Sequence, residues 1–215
     1  MTMQAGLIGS HGIVLATDTR HSIDPLNSKG ARNHYGSSKI EIDPTGQIAI
    51  ACAGDMATAR QVASRILVEF MHFPLFEREY RICEIGKSVG GANAECLIAF
   101  SDSRLYLFQS VNKTIQCYEV FEYAFAGDRF NAANFWATRY YKRLPIKRLL
   151  RLAAFVIFEA HKLNPDAVKG LEMVHWNGVK FHRLPSEENR AWEAEAKQWD
   201  EQIGRFILGY GKDAL

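Results

Sequence analysis

Four residues near the front of the chain could act together on a carbonyl carbon: Thr2, Asp18, Lys39 and Gly54. A threonine at a free chain terminus carries nucleophile and base together. Its hydroxyl attacks while its own α-amine, with an ordinary pKa of about 7.7–8.0, accepts the proton near neutral pH. Removal of Met1 would create that amine on Thr2, and a small second residue permits the removal. A nearby lysine would disfavour protonation of the amine and help to stabilise an alkoxide, and a carboxylate would hold the lysine. Asp18 is the expected carboxylate, and Lys39 in "SSKIEID" the expected lysine. The oxyanion needs backbone donors. "ACAGD" closes an apolar run at Gly54 and enters a helix, whose first N–H groups favour negative charge.

The elements that must position these groups begin with a hairpin. Residues 2–9 and 13–20 read as two strands around Ser10-His11-Gly12. With a three-residue loop and Gly12 left-handed, Gly9 faces Ile13 and Gln4 faces Asp18. Thr2 and Asp18 then share a face as diagonal neighbours roughly 7–8 Å apart, placed to share a lysine ammonium. A two-residue loop would put them on opposite faces.

Further along, "QIAIACAG" (47–54) reads as a strand, and Met56, Ala59, Val62, Ala63, Ile66, Leu67 and Phe70 form the stripe of a helix ending near Pro74. A weaker helical segment covers 76–88. "ECLIAF", "SRLYLFQ" and "TIQCYEVFEYAFAG" supply strands, 129–142 and 146–163 supply helices, and 171–184 forms a hairpin about Asn177-Gly178, a type I′ signal. Such blocks predict an α+β protein rather than alternating βαβ units. The 215 residues read as one domain, 186–203 as a terminal helix within a C-terminal helix and tail spanning 186–215, and the last dozen residues as loose.

Composition narrows the function classes. The formal charge of +2 provides no whole-molecule field for nucleic acid or an anionic membrane. The four cysteines lack C-x-x-C spacing and sit in apolar runs, which fits reduced thiols and a cytoplasmic protein. The seven histidines show no metal-ligand spacing, so neither a metal nor another cofactor is expected. "GKS" at 86–88 lacks the upstream glycine of a phosphate loop, where Arg81 stands. The basic, aromatic "TRYYKRLPIKRLLR" (138–151) reads as helix faces for subunit packing rather than as a nucleic-acid site.

Thr2 and Gly6, "GIVLATDTR" ending at Arg20, "KIEID" from Lys39 and "AGDMATAR" from Ala53 to Arg60 together resemble the proteasome β-subunit family and its bacterial, HslV-like relatives, threonine peptidases of the N-terminal-nucleophile hydrolase superfamily. The match is dense over residues 2–67. The resemblance implies a four-layer αββα sandwich, Thr2 as nucleophile, Asp18 and Lys39 as its supporting pair, and Gly54 as an oxyanion donor. It makes Cys52 and Met56 lining residues of the primary specificity pocket, with His21 and Ser22 also on the substrate side. It implies a homo-oligomeric double ring, unfolded polypeptide as substrate, and an ATPase unfoldase as partner. Two family serines are replaced: "FAGD" places Ala126 at one, and "DAVKG" keeps Asp166 but places Lys169 at the other. The 21–38 segment is longer than the family pattern, which leaves Lys29 as the alternative lysine. A catalytically silent ring subunit and a small-molecule amidase are the competing functions.

Overall fold

A computed structural model describes residues 2–23, 33–36, 38–70, 73–90, 93–127 and 133–208. Twelve strands appear among them: β1 (Met3–Ile8), β2 (Ile13–Thr17), β3 (Arg20–Ile23), β4 (Asn33–Gly36), β5 (Ile40–Ile42), β6 (Ile48–Gly54), β7 (Ala94–Phe100), β8 (Leu105–Val111), β9 (Thr114–Val120), β10 (Tyr123–Gly127), β11 (Glu172–Trp176) and β12 (Phe181–Arg183). The helices are α1 (Met56–Glu69), α2 (Arg78–Val89), α3 (Ala133–Tyr140), α4 (Ile146–Leu163) and α5 (Ser186–Leu208). No described helix is long and apolar enough to cross a membrane.

The strands form two five-stranded antiparallel sheets, ordered β10-β1-β2-β11-β12 and β5-β6-β7-β8-β9, and β3 pairs with β4 apart from them. Alternation of side chains along each strand builds the layers. On the first sheet Met3, Ala5, Leu7, Val14 and Ala16 pack against α4, while Ile13 and Leu15 face the second sheet. On the second, Ala49, Ala51 and Ala53 face inward, while Ile48, Ile50 and Cys52 pack beneath α1. The result is the four-layer αββα sandwich. Asp55 starts α1 by accepting the Thr58 N–H at 2.8 Å, so the helix begins directly behind Gly54.

Three details differ from the sequence reading. The run 114–127 breaks at Phe121-Glu122, sending β9 to the edge of one sheet and β10 to the edge of the other. The Asn177-Gly178 hairpin exists, with Trp176 opposite Phe181, but its turn is not type I′. Gly178 alone has positive φ there, and the Asn177 side chain instead accepts the N–H groups of Val179 and Lys180. A two-residue turn with positive φ at both positions falls at Asn112-Lys113, between β8 and β9.

Candidate active site

Thr2 stands one residue ahead of β1, Asp18 one residue past β2, and Lys39 one residue ahead of β5, so two sheets converge on one point. All three residues are buried. The Lys39 ammonium donates to Thr2 Oγ1 at 2.8 Å and to Asp18 Oδ2 at 2.8 Å. Both side chains of the Lys39–Asp18 pair are fully sealed from solvent. Lys29 lies outside the described residues.

The hairpin reaches this arrangement by another route than the one its sequence suggests. Ile8 pairs with Ile13 and Gln4 with Thr17, while the Gly9 N–H donates to Gly12 O, so Ser10 and His11 form a two-residue tip. This register, one residue away from the expected one, would turn Thr2 and Asp18 to opposite faces if β2 continued. It stops at Thr17. The Asp18 N–H still donates to Met3 O at 3.2 Å, but Met3 N–H donates to the Asp18 side chain, Oδ1, at 2.9 Å. The carboxylate thus replaces a ladder carbonyl, and Oδ2 is left to accept from Arg20 N–H at 3.1 Å and from Lys39.

Burial pushes the Asp18 carboxyl above its ordinary 3.8, opposed by the Lys39 charge and by the hydrogen bonds from Lys39, Met3 and Arg20. Burial also pulls the Lys39 ammonium below its ordinary 10.5, opposed by Asp18. A lysine lowered in this way and bonded to a hydroxyl is suited to stabilising an alkoxide or exchanging a proton with it.

Gly54 ends β6 with φ of +79°, and a Cβ there would lie 2.4 Å from Asn93 O, so only glycine fits. Cys52 N–H donates to Lys39 O and Asp55 N–H to Asn93 O, on opposite sides of β6. The strand period therefore directs the Gly54 N–H to the side of Lys39.

The other expected site residues scatter. Cys52 is fully buried in the α1-facing cluster opposite Cys96, because the alternation that turns Ala51 and Ala53 inward turns Cys52 outward; it offers a pocket no surface. Met56, in the first turn of α1, is half-buried. His21 and Ser22 lie in β3, and their side chains lie outside the described ones. Asp166 is exposed in the 164–170 turn, away from the hydrogen bonds described around Thr2. That turn meets the site through backbone, with Lys169 O accepting from Thr19 N–H at 3.0 Å.

Ala126 lies opposite Gln4 and packs between the sheets, while its neighbour Gly127 abuts Thr2. Gly127 has φ of +83°, a Cβ there would fall 1.9 Å from Thr2 O, and its N–H donates to buried Glu95 at 2.6 Å. Neither Gly127 nor Glu95 stood out in the sequence, although an acid inside "AECLIAF" was the available signal.

Two face-to-face antiparallel sheets flanked by helices, with the chain's front strand at the point of convergence, give the chain a proteasome-like fold. No protein-family model and no curated protein matches the chain. Among solved structures, it is similar to Anbu (ancestral beta-subunit) from Yersinia bercovieri, with 16% identity, TM-score 0.73, and 99% of this chain and 98% of the other covered. A Gly-1 mutant of Anbu from Hyphomicrobium sp. strain MC1 gives 16% identity and TM-score 0.68 over 97% and 100% of the two chains. A structure described as a helical assembly of the Anbu complex from Pseudomonas aeruginosa gives 12% identity and TM-score 0.71 over 96% and 95%. These likenesses correct the motif resemblance. These three neighbours are Anbu proteins, a distinct proteasome-related group, rather than the HslV-like peptidases to which the short motifs pointed.

Proposed function

We propose that the protein is a threonine peptidase that cleaves unfolded polypeptides through an acyl-enzyme on Thr2. The observation that carries this reading is the single Lys39 ammonium held 2.8 Å from both Thr2 Oγ1 and Asp18 Oδ2, with the Lys39 and Asp18 side chains shielded from solvent. Once Met1 is removed, Thr2 Oγ attacks the scissile carbonyl and passes its proton to the Thr2 α-amine. Lys39 stabilises the charge on Oγ, and the Gly54 N–H faces the oxyanion. Collapse expels the amine product with that proton, and water then hydrolyses the ester and restores Thr2. Self-association belongs to the same reading: a neighbour is described as a helical assembly, and the helical face here exposes Phe135, Phe206 and Ile207.

Replacement of both serines, with Asp166 exposed, favours a second reading, a silent assembly subunit. A panel of fluorogenic peptides separates the two. Wild-type protein lacking Met1 should cleave best after apolar residues, given the uncharged Met56 at the first turn of α1, and Thr2→Ala should cleave none while keeping the wild-type oligomeric state. Preferred cleavage after basic residues would contradict the pocket. Absence of all cleavage by the wild type would favour the silent subunit.

A further inference from the structure

Lys39 stands at the end of the long 21–38 segment, yet its main chain is held from elsewhere in the fold. Glu172, buried at the start of β11 in the opposite sheet, accepts the Lys39 N–H at 3.0 Å and the Ser38 hydroxyl at 2.7 Å. Arg183 of β12 pairs with Glu172 and donates to Ser38 Oγ at 2.7 Å and to Ile40 O at 2.6 Å. From α1, Arg60 donates to Ser38 O at 2.9 Å, and from β6 the Cys52 N–H donates to Lys39 O at 2.9 Å. Three consecutive residues thus have their polar groups engaged by four elements.

We propose that Glu172, seated by Arg183, is a positioning residue that fixes the Lys39 main chain and so keeps its ammonium between Thr2 and Asp18. The catalytic part of this rests on the Thr2 reading. A lysine side chain has four rotatable carbons and would otherwise leave the shared position readily. Glu172 of β11 lies opposite Thr17 of β2, so its carboxylate ties Lys39 to the strand paired with the one that delivers Asp18. The clamp thereby holds Lys39 against the sheet that carries Asp18.

The test compares wild type, Thr2→Ala, Glu172→Gln and Ser38→Ala as full chains, measuring peptide turnover, its pH profile, and hydrogen exchange of the 38–42 amides by mass spectrometry. Glu172→Gln is expected to lower kcat about 10²-fold, the effect of a misplacement near 1 Å, with KM little changed and the pH profile shifted. Ser38→Ala keeps the carboxylate on the Lys39 N–H and should cost no more than about tenfold. The 38–42 amides should exchange faster in Glu172→Gln alone. Unchanged kcat and pH profile in Glu172→Gln, with Thr2→Ala inactive, would overturn the clamp and leave the Thr2 reading intact. If the wild type itself is inactive, the Thr2 reading fails, and exchange decides the clamp: faster exchange upholds its hold on Lys39, and unchanged exchange overturns it. Should Glu172→Gln fail to fold, Arg183→Lys, which keeps the charge but loses the fork onto Ser38 and Ile40, takes its place in the same comparisons.

Discussion

Lys39→Ala is expected to lower peptide turnover by about 10²–10³-fold, the usual effect of removing one preorganised partner of a developing negative charge. The variant should also be markedly less stable, because Asp18 stays buried without its counter-charge, and breaking a buried pair typically costs about 3–5 kcal/mol. For a chain of this length that corresponds to a fall in Tm of roughly 10 °C. The two effects have separate origins, and pH shows why. Asp18 is raised above 3.8, so the native protein holds that proton more tightly than the unfolded chain, and stability falls as pH rises from 3.8 through the native value. Lys39 is lowered from 10.5, so the native protein releases its proton more readily, and stability falls as pH drops from 10.5 through the native value. Burial thus disfavours the charged form of each partner in the native protein. The double variant Asp18→Asn with Lys39→Met should melt at or above the wild-type temperature at pH 7 and be inactive. A double variant melting as low as Lys39→Ala would contradict this.

Gly127→Ala is expected to slow reaction at Thr2 by about 10²-fold. The added Cβ would fall 1.9 Å from Thr2 O, a backbone atom with no flexible end to move aside, so the residue before β1 must shift. A shift of about 1 Å suffices to cost roughly 10²-fold in rate. The positive φ of +83° adds strain of about 1–2 kcal/mol for any residue but glycine. Gly178→Ala separates these contributions: its φ is +94°, but nothing lies within 4 Å of the added Cβ. Gly127→Ala, which adds a backbone clash to the strain, should melt below Gly178→Ala, and the labelling rate at Thr2 should collapse only in Gly127→Ala. Equal labelling in both would show that Gly127 does not position the nucleophile.

What the sequence carried well was whatever depends on short-range pattern. The stripe from Met56 to Phe70, the strand closing on Gly54 and the hairpin around Ser10-His11 are each fixed by neighbours within a few residues. The register of that hairpin was harder, because a two-residue and a three-residue tip read alike, and because a carboxylate standing in for a ladder carbonyl leaves no trace in side-chain alternation. The break at Phe121-Glu122 was invisible for a related reason: the apolar pattern runs through it, and only tertiary pairing assigns β9 and β10 to different sheets. The meeting of Thr2, Asp18 and Lys39 was anticipated although the hairpin register drawn for it was one residue out. Gly127, Glu95 and Glu172 act through contacts 32 to 134 residues away in sequence, where no local motif reaches. Short motifs also misdirected the family assignment, since they describe the nucleophile hairpin and not the strands and helices laid around it.

The most direct test of Thr2 as an N-terminal nucleophile is mass spectrometry of the purified protein after exposure to an electrophile that bonds an amine and a hydroxyl on the same residue. The intact mass should show loss of Met1 and a single adduct, digestion should place the adduct on Thr2, and Thr2→Ala should carry none. Protein that uniformly retains Met1, or an adduct that persists in Thr2→Ala, would contradict the account.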